Sequence, residues 1–403
     1  MWVERLGLVD FRSYRSAELD LTPGVTVLVG PNGRGKTNVV EALHRVAVGA
    51  SHRIAGDAAL VREGASDAVI RTALRTDDDR TRSVDVQLGS GRTRAQVDGQ
   101  PVRRAAEAVG VLRVVAFAPE DIALVRGDPA DRRRYLDQLL SQRRTSYAAA
   151  LADYERVLRQ RNTLLKDLRG GRGPGQAAGD DGGTLAAWTE QLVAHGAPLV
   201  AARLAAVEAL RGPVGEAHAR LTGSDVAVTL AYRSDADVTG PDGNARDVAA
   251  IAEALRSAID EVGAEERRRG ITLVGPHRDE LVITLDGLAA RTTASQGEAW
   301  SVALACKVGS APLLTGVGDR PVLLLDDVFS ELDETRRARV AALCDGFDQI
   351  LVTAAVDADV PLAGRRVHVR REDDGQGSTL HPQDAGPEDA GGAADGGAAG
   401  GVT

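Results

Sequence analysis

The chain has little from which to build a metal centre or a disulfide framework. Its 403 residues include only two cysteines, Cys306 and Cys344. They make no metal-ligand spacing, and both sit in apolar, helix-like stretches, so buried thiols are expected. Aromatic residues are scarce as well, at 3%. Few are interleaved with basic side chains, so a base-reading surface is not expected. There is no run of about 18 apolar residues to span a membrane and no heptad run long enough for an extended coiled coil. No internal repeat is present. The N-terminal stretch MWVERLGLVDF carries acid and base early and alternates like a strand. That does not fit a signal peptide, so the cytoplasm is expected and a membrane partner is not. Lysine is nearly absent: Lys36, Lys166 and Lys307 are the only ones among 49 basic residues. With so much Ala and Gly, the Arg preference reads as GC-rich coding bias rather than function.

The net charge of −9 argues at first against nucleic acid. Its distribution changes that reading. After Arg371 the chain has seven acidic residues and no Lys or Arg; without this tail the balance is −2. From Arg126 to Arg172 there are twelve basic and six acidic residues, a local +6. A basic segment in a near-neutral body is compatible with a phosphate-binding face.

What the chain does have is GPNGRGKT, Gly30 to Thr37. It matches the phosphate-loop pattern at every fixed position. An apolar strand-like segment, Val25 to Val29, precedes it, and a helical pattern from Thr37 follows. In that setting Gly30, Pro31, Asn32, Gly33, Arg34 and Gly35 offer backbone N–H groups as an anion nest. Lys36 is the candidate for the β- and γ-phosphates, and Thr37 for Mg²⁺. The motif predicts a nucleoside triphosphate without saying what it is used for.

Along the chain, Trp2 to Phe11, Ala17 to Leu21 and Val25 to Gly30 read as strands, and Thr37 to Val48 as a helix. Ala68 to Leu74, Ser83 to Leu88 and Arg94 to Val97 alternate as antiparallel strands do. Asp98-Gly99 is a hairpin signal, and Val111 to Phe117 reads as a buried strand. From Asp131 to about Leu168 the pattern is helical, about 57 Å if continuous. A Gly, Pro and Asp-rich loop follows from Gly170 to Gly183, then helix from Leu185 to about Leu210, a strand at Val226 to Ala231, and helix from Val248 to Glu266. We read 1–120 and 271–371 as two parts of one head and 121–270 as an inserted, mainly helical arm. In the second part, Leu281 to Leu285, Val322 to Leu325 and Gln349 to Val352 read as strands, and Gly297 to Ser310 and Thr335 to Leu343 as helices. Residues 372–403 are acidic and rich in Gly and Ala, and are expected to lack structure.

Val322-Leu-Leu-Leu-Asp-Asp327 is an apolar strand ending in two acids. As a parallel strand beside the loop strand, it would deliver both carboxylates at its C-terminal edge. Asp326 is then the candidate to hold Mg²⁺ through water, and Asp327 to orient or deprotonate an attacking water. Ser295-Gln-Gly297-Glu298 opens a helix, with a hydroxyl and exposed N–H groups at its positive end. One chain already has its phosphate loop, so a second phosphate-seeking helix start suggests nucleotide shared between two subunits.

Ser295, Gly297 and Glu298, followed by a strand ending in two acids and then Ser330-Glu331-Leu332-Asp333, resemble an ABC-type ATPase head and its D-loop. More narrowly, GPNGRGKTNVVEAL (30–43), FAPEDIALVRGDPADRRRYLD (117–137), GPHRDEL (275–281), ASQGEAWSVALACK (294–307) and LLLDDVFSELDETRR (323–337) resemble the RecF family, in its order, over about 300 residues. The resemblance implies an α/β fold: a P-loop ABC-type ATPase head, with a mixed sheet and helices, of the SMC/Rad50 kind and with a short arm. It implies ATP and Mg²⁺ as cofactors, ATP-dependent homodimerisation on DNA, and slow hydrolysis acting as a switch. It further implies single-stranded, gapped or junction DNA, RecO and RecR as partners in recombination-mediator loading, gapped-DNA repair and SOS induction. Ser295, Gly297 and Glu298 would cap the partner's ATP. Asp327 stands where many ABC ATPases carry glutamate, and Glu298 where the family version carries glutamine. Where many ABC proteins carry a histidine after the last head strand, this chain has Thr353-Ala354-Ala355, so a hydroxyl substitutes or the contact is missing. GPHRDEL is placed near the head–arm junction with His277 and Arg278.

For DNA, the candidates are the backbone-reading charges Arg132, Arg133, Arg134, Arg143 and Arg144, with Arg156, Arg159 and Arg161 behind them. Their spacing makes no base-reading element, so phosphate contacts and strong salt dependence are expected. A solvated helix face with pairs such as Glu155–Arg159 is the alternative. Two other classes share the head motifs: a transporter nucleotide-binding subunit and an SMC/Rad50-type structural chromosome protein. The 150-residue arm argues against the first, and the missing long coiled coil against the second.

Overall fold

The computed structural model describes residues 1–51, 56–89, 93–170, 181–240, 243–316, 318–330, 332–372 and 377–383. In its first third the strands are β1 (Trp2–Phe11), β2 (Tyr14–Asp20), β3 (Gly24–Val29), β4 (Asp67–Arg75), β5 (Thr81–Gly89), β6 (Arg94–Val97), β7 (Gln100–Pro101) and β8 (Val114–Phe117). Those that follow are β9 (Val228–Arg233), β10 (Glu280–Leu285), β11 (Leu288–Ala289), β12 (Val322–Asp326), β13 (Gln349–Ala354), β14 (Arg365–Glu372) and β15 (Gly377–Pro382). The helices are α1 (Lys36–Val48), α2 (Ala123–Arg126), α3 (Pro129–Arg143), α4 (Thr145–Arg169), α5 (Asp181–Thr222) and α6 (Val248–Glu261). After them come α7 (Gly263–Arg269), α8 (Ala290–Thr293), α9 (Gln296–Val308), α10 (Ala311–Thr315) and α11 (Glu334–Cys344).

Twelve strands form one mixed sheet in the order β7-β6-β5-β4-β1-β2-β15-β14-β3-β13-β12-β8. Its two wings differ in kind. From β14 to β8 the strands run parallel, and from β7 to β2 they are antiparallel. Every residue of β12 and β13 is buried. Parallel strands covered on both faces read as unbroken apolar runs for this reason. One face, with Leu28, Leu324 and Leu351, packs on Val39, Val40 and Leu43 of α1. The other, with Val27, Leu323, Leu325 and Val352, packs on a cluster that includes Val302 of α9 and Val207 of α5. The antiparallel wing shows the expected alternation, and Asp98 and Gly99 turn the β6–β7 hairpin with positive φ at both residues (51° and 74°).

The structure corrects the strand order expected from the sequence. β12 does not lie beside β3; β13 stands between them and pairs in parallel with both. All three strands end in the same register, so the acids still arrive at the loop's edge. The intervening strand adds its own end residue, Thr353.

The helical segment also differs in its joints. The continuous helix expected over 131–168 is broken at Arg144, whose extended backbone (φ −147°, ψ 118°) separates α3 from α4. The helix expected to end near Leu210 runs on to Thr222, through Pro198 and Pro213. Each proline gives up one backbone hydrogen bond, but Leu199, Val200, Leu210 and Val214 are fully buried and hold the helix by packing. By length and composition its Gly183–Thr222 part could cross a membrane; over half of its most apolar 18-residue stretch is buried inside the protein. The expected loop at 170–183 lies mostly outside the described residues.

α4 and α5 run antiparallel: Tyr147 meets Arg203, Tyr154 lies against Gly196, and Arg161 meets Thr189. The root of this hairpin shares one core cluster with the head; among the described residues, Leu164, Leu165 and Leu185 form a small separate cluster. The boundary drawn near residue 270 is crossed by a second sheet, in which β9 pairs with β10. At the C-terminus, the structure corrects the expectation of an unstructured 372–403. Glu372 ends β14, and residues 377–382 form β15, joined antiparallel to β14. The composition of the whole tail hid six residues, GSTLHP, that can pair; residues 384–403 lie outside the described residues.

Arg161 is 2% exposed and meets Glu266, 1% exposed, at 2.6 Å; its other nitrogens donate to Thr272 and Thr189. Breaking a satisfied buried pair leaves an uncompensated charge. Arg161→Ala is therefore expected to destabilise the chain by about 3–5 kcal/mol, read as a lower urea midpoint. A loss under about 1 kcal/mol would contradict this packing.

Candidate nucleotide-binding site

The loop Gly30–Thr37 joins β3 to α1 at the C-terminal edge of the parallel wing. Two of its glycines are forced by space. A Cβ on Gly30 would lie 2.4 Å from the Val369 carbonyl oxygen of β14. Gly35 caps α1 with a left-handed backbone (φ 109°), and a Cβ there would sit 2.8 Å from the hydroxyls of Ser13 and Ser378. Below it, the Tyr14 hydroxyl donates to the Gly35 carbonyl (3.1 Å), and Asn38 Nδ2 donates to Ser13 Oγ (2.9 Å). Pro31, Asn32 and Gly33 are exposed, and Arg34 is half-buried. No acid stands in the first turn of α1 to repel an anion. Lys36 Nζ folds back to the carbonyls of Gly30 (2.6 Å) and Pro31 (3.1 Å). Burial lowers the pKa of its ammonium, against the opposing pull of the Asp327 and Asp326 carboxylates.

The acids converge on this loop. Thr37 Oγ1 donates to Asp326 Oδ1 at 3.0 Å, across 289 residues of sequence. Thr353 Oγ1, from β13, donates to the same oxygen at 2.6 Å and accepts from the Asp327 backbone N–H at 2.9 Å. The Thr353 hydroxyl is thus used on the two acids. Asp327 has a left-handed backbone (φ 51°), uncommon for a residue with a side chain. Its Oδ1 is buried with no hydrogen-bond partner among the described residues. Such an atom is costly unless something completes it. Of the D-loop residues, Glu331 lies outside the described residues. Asp333 N-caps α11 by accepting from the Arg336 N–H (2.8 Å).

The helix start at Ser295 is a capping box. Ser295 Oγ accepts from the Glu298 N–H (3.3 Å), and Glu298 Oε2 accepts from the Ser295 N–H (2.7 Å). This gives Glu298 a physical role that the sequence left open, since either Glu or Gln completes such a box. The bonds from Ser295 hold the Glu298 carboxyl below its usual range. Ser295 and Glu298 are exposed and Gly297 is half-exposed, with the Arg336 guanidinium 3.4 Å from where a Gly297 Cβ would be. Ser295 and Glu298 bond to each other and not to the phosphate loop.

The stretch 117–137 is the scaffold for this helix. Phe117 packs edge-on against Trp300 (5.5 Å between ring centres). Lys307 pairs with Asp121 (2.8 Å), Arg126 donates to the Ala294 carbonyl (2.7 Å), Arg291 pairs with Asp128 (2.9 Å), and the Tyr135 hydroxyl donates to the Cys306 carbonyl (2.6 Å). Both cysteines are free and buried, and burial pushes each thiol up to about 12.

GPHRDEL lies where α4, α5 and β10 meet. Arg203, 2% exposed, grips Asp137 and donates to the Pro276 carbonyl (2.6 Å). The Tyr154 hydroxyl and His277 Nδ1 are 2.6 Å apart. Burial pushes His277 down to about 4 and Asp279 up to about 6, the latter opposed by the Tyr232 hydroxyl at 2.6 Å. Arg278 is exposed and donates to the Thr272 carbonyl (3.3 Å). The stretch is a junction of buried polar groups.

The arginines chosen for DNA separate into two groups. Arg132 is corrected: it is 3% exposed and pairs with Glu280 at 2.5 Å, so it is an internal strut. Arg161 is likewise internal. Arg133 and Arg143 are half-buried, and Arg133 donates to the Asp279 carbonyl (3.0 Å). Arg134 and Arg144 are exposed, as are Arg156 and Arg159, and Arg159 stands 4.0 Å from Glu155 as its spacing predicts. Helical periodicity alone did not separate the two groups, because the burial of Arg132 depends on a β10 residue 148 positions away.

Fold and site together define the kind of ATPase head shared by RecF, RecN and SMC proteins. The family model described as the RecF/RecN/SMC N terminal domain matches residues 2–377. The chain is 50% identical, over 371 residues, to the DNA replication and repair protein RecF of Frankia alni, covering 91% of this chain and 97% of that one. It is 48% identical to the RecF of Kineococcus radiotolerans over 383 residues, covering 92% and 97%. This protein belongs to the RecF family. Among solved structures, the recombination mediator protein RecF with ATP, from the RecFOR pathway, superposes with a TM-score of 0.82 at 26% identity over 95% of this chain and 99% of that one. An Smc head bound to the C-winged helix domain of ScpA shares the fold, with a TM-score of 0.54 at 17% identity over 95% and 98%.

Thr353→Val keeps the shape of the β13 end but leaves the Asp327 N–H without its acceptor and removes one of the two hydroxyls that donate to Asp326 Oδ1. A loss of about 1–3 kcal/mol is expected, measured by chemical unfolding of the nucleotide-free chain. Unchanged stability would show that the hydroxyl does not tie the acids.

Proposed function

We propose that the chain is an ATP-dependent DNA-binding protein of recombinational repair and replication, in which ATP is held by residues 30–37 of one copy and capped by Ser295, Gly297 and Glu298 of a second. The observation that carries this reading is the division of the site. Lys36, Thr37, Asp326 and Asp327 converge at one loop, while a second anion-seeking helix start lies exposed, its Ser295 and Glu298 caps bonded to each other. One phosphate chain between two copies would satisfy both.

Thr37 and Asp326 are the residues that would hold Mg²⁺, Thr37 through its hydroxyl and Asp326 through water. Their oxygens suit a hard cation. Among the described residues no cluster of three His, Cys, Asp or Glu could hold a metal by itself, so the ion would depend on phosphate oxygens as well. When bound, Mg²⁺ neutralises charge on the phosphates. Lys36 exchanges the Gly30 and Pro31 carbonyls for the β- and γ-phosphates. Asp327 turns its unpartnered oxygen to the attacking water, to orient it or take its proton. Aspartate reaches less far than glutamate, which fits a slow switch in which hydrolysis releases DNA.

The DNA reading is supported by the family and by the local excess of basic charge. Arg134 and Arg144, with Arg133 and Arg143 beside them, are the residues we assign to phosphate contacts, in single-stranded, gapped or junction DNA. Loading of a recombination mediator with RecO and RecR, SOS induction and a cytoplasmic location follow from the same reading.

Three variants test it. Lys36→Ala is expected to lower ATP affinity more than about tenfold and to abolish ATP-dependent dimerisation and DNA retention. Asp327→Asn should accumulate an ATP-bound dimer on size-exclusion chromatography. Ser295→Arg should bind ATP as a monomer yet fail to dimerise. A Ser295→Arg protein that dimerised normally would remove the shared site.

A further inference from the structure

The phosphate loop rests on a strand that arrives from the far end of the chain. β15 joins the two wings of the sheet through one residue pair, Gly377 with Tyr14. Only glycine fits there: φ is 90°, and a Cβ would lie 2.2 Å from the Ser13 carbonyl oxygen. The next residue, Ser378, is 1% exposed. Its N–H donates to the Ser13 carbonyl at 2.8 Å, and its hydroxyl donates to Ser13 Oγ at 2.7 Å. Ser13 Oγ also accepts from Asn38 Nδ2 in the first turn of α1. The two serine hydroxyls form the floor beneath Gly35, each 2.8 Å from where its Cβ would be. Gly35 is the residue whose left-handed turn aims the loop's N–H groups before α1 begins.

We propose that Ser378 is a positioning residue for nucleotide binding: through Ser13 it holds Gly35 and Asn38 in the phosphate-receiving shape, so docking of β15 and occupancy of the loop are coupled. This rests on the reading of residues 30–37 as the ATP site. The physical reason is preorganisation. A loop held in its bound shape does not lose that freedom again on binding. Coupling is also reciprocal, so a ligand that favours the held loop must favour docked β15 by the same factor.

Three measurements on the full chain test the proposal, the first with a methylanthraniloyl-labelled ATP as probe. Ser378→Ala removes one buried hydrogen bond and is expected to weaken probe binding about three- to tenfold. It should raise KM for ATP more than it lowers kcat, since no reacting atom is touched. In the unaltered chain, ATP should slow amide hydrogen exchange across 377–382. If the unaltered chain binds the probe, Ser378→Ala binds it equally well and exchange in 377–382 ignores ATP, the coupling is overturned while the ATP site stands. An unaltered chain that binds no probe would overturn the ATP site and this inference with it.

Discussion

The Asp326 carboxylate holds this site together. One of its oxygens accepts from both Thr37, on the phosphate-loop helix, and Thr353, on the strand between. Three segments meet at that atom, one of them 289 residues away from Asp326 in sequence and another 27. They can do so because β3, β13 and β12 are parallel, in register and covered on both faces, so their C-terminal ends are fixed at one level. A carboxylate this buried is costly unless it is hydrogen-bonded, and the two hydroxyls supply two bonds to its Oδ1. The same Thr353 hydroxyl takes the Asp327 N–H and so fixes the left-handed turn that points the second acid at the loop. The site is thus fixed by the sheet.

The second anion-seeking element is built independently. The helix start at Ser295 is closed by its own capping box and held from behind by the 117–137 stretch, through Trp300, Lys307, Ala294 and Cys306. Its support comes from the insert, whose α5 also packs on α9 and α11. The arm and the exposed helix start therefore share one core. The buried polar junction around Arg203, Asp137, His277 and Asp279 lies at the root of the same arm.

Much of this was legible in the sequence because it is local. The phosphate loop, the apolar strand ending in two acids and the serine–glycine helix start are each contiguous, and each formed where its residues predict. The misses are long-range. Nothing near Val322 says that β13 will insert beside it, since strand order is a property of the crossovers. Arg132 reads as a surface charge on its own helix and becomes internal only when β10 brings Glu280 to it. The proline-interrupted α5 is carried by packing that propensity does not register. Averaging composition over residues 372–403 concealed Gly377, which pairs with Tyr14, and Ser378, whose hydroxyl lies beneath Gly35 of the loop.

The most direct test of the account is the mass of the chain in solution by light scattering, without nucleotide, with ATP and Mg²⁺, and then with gapped DNA added. The account predicts a monomer that doubles in mass with ATP, and a dimer that gapped DNA stabilises. A monomer under all three conditions would contradict the shared site.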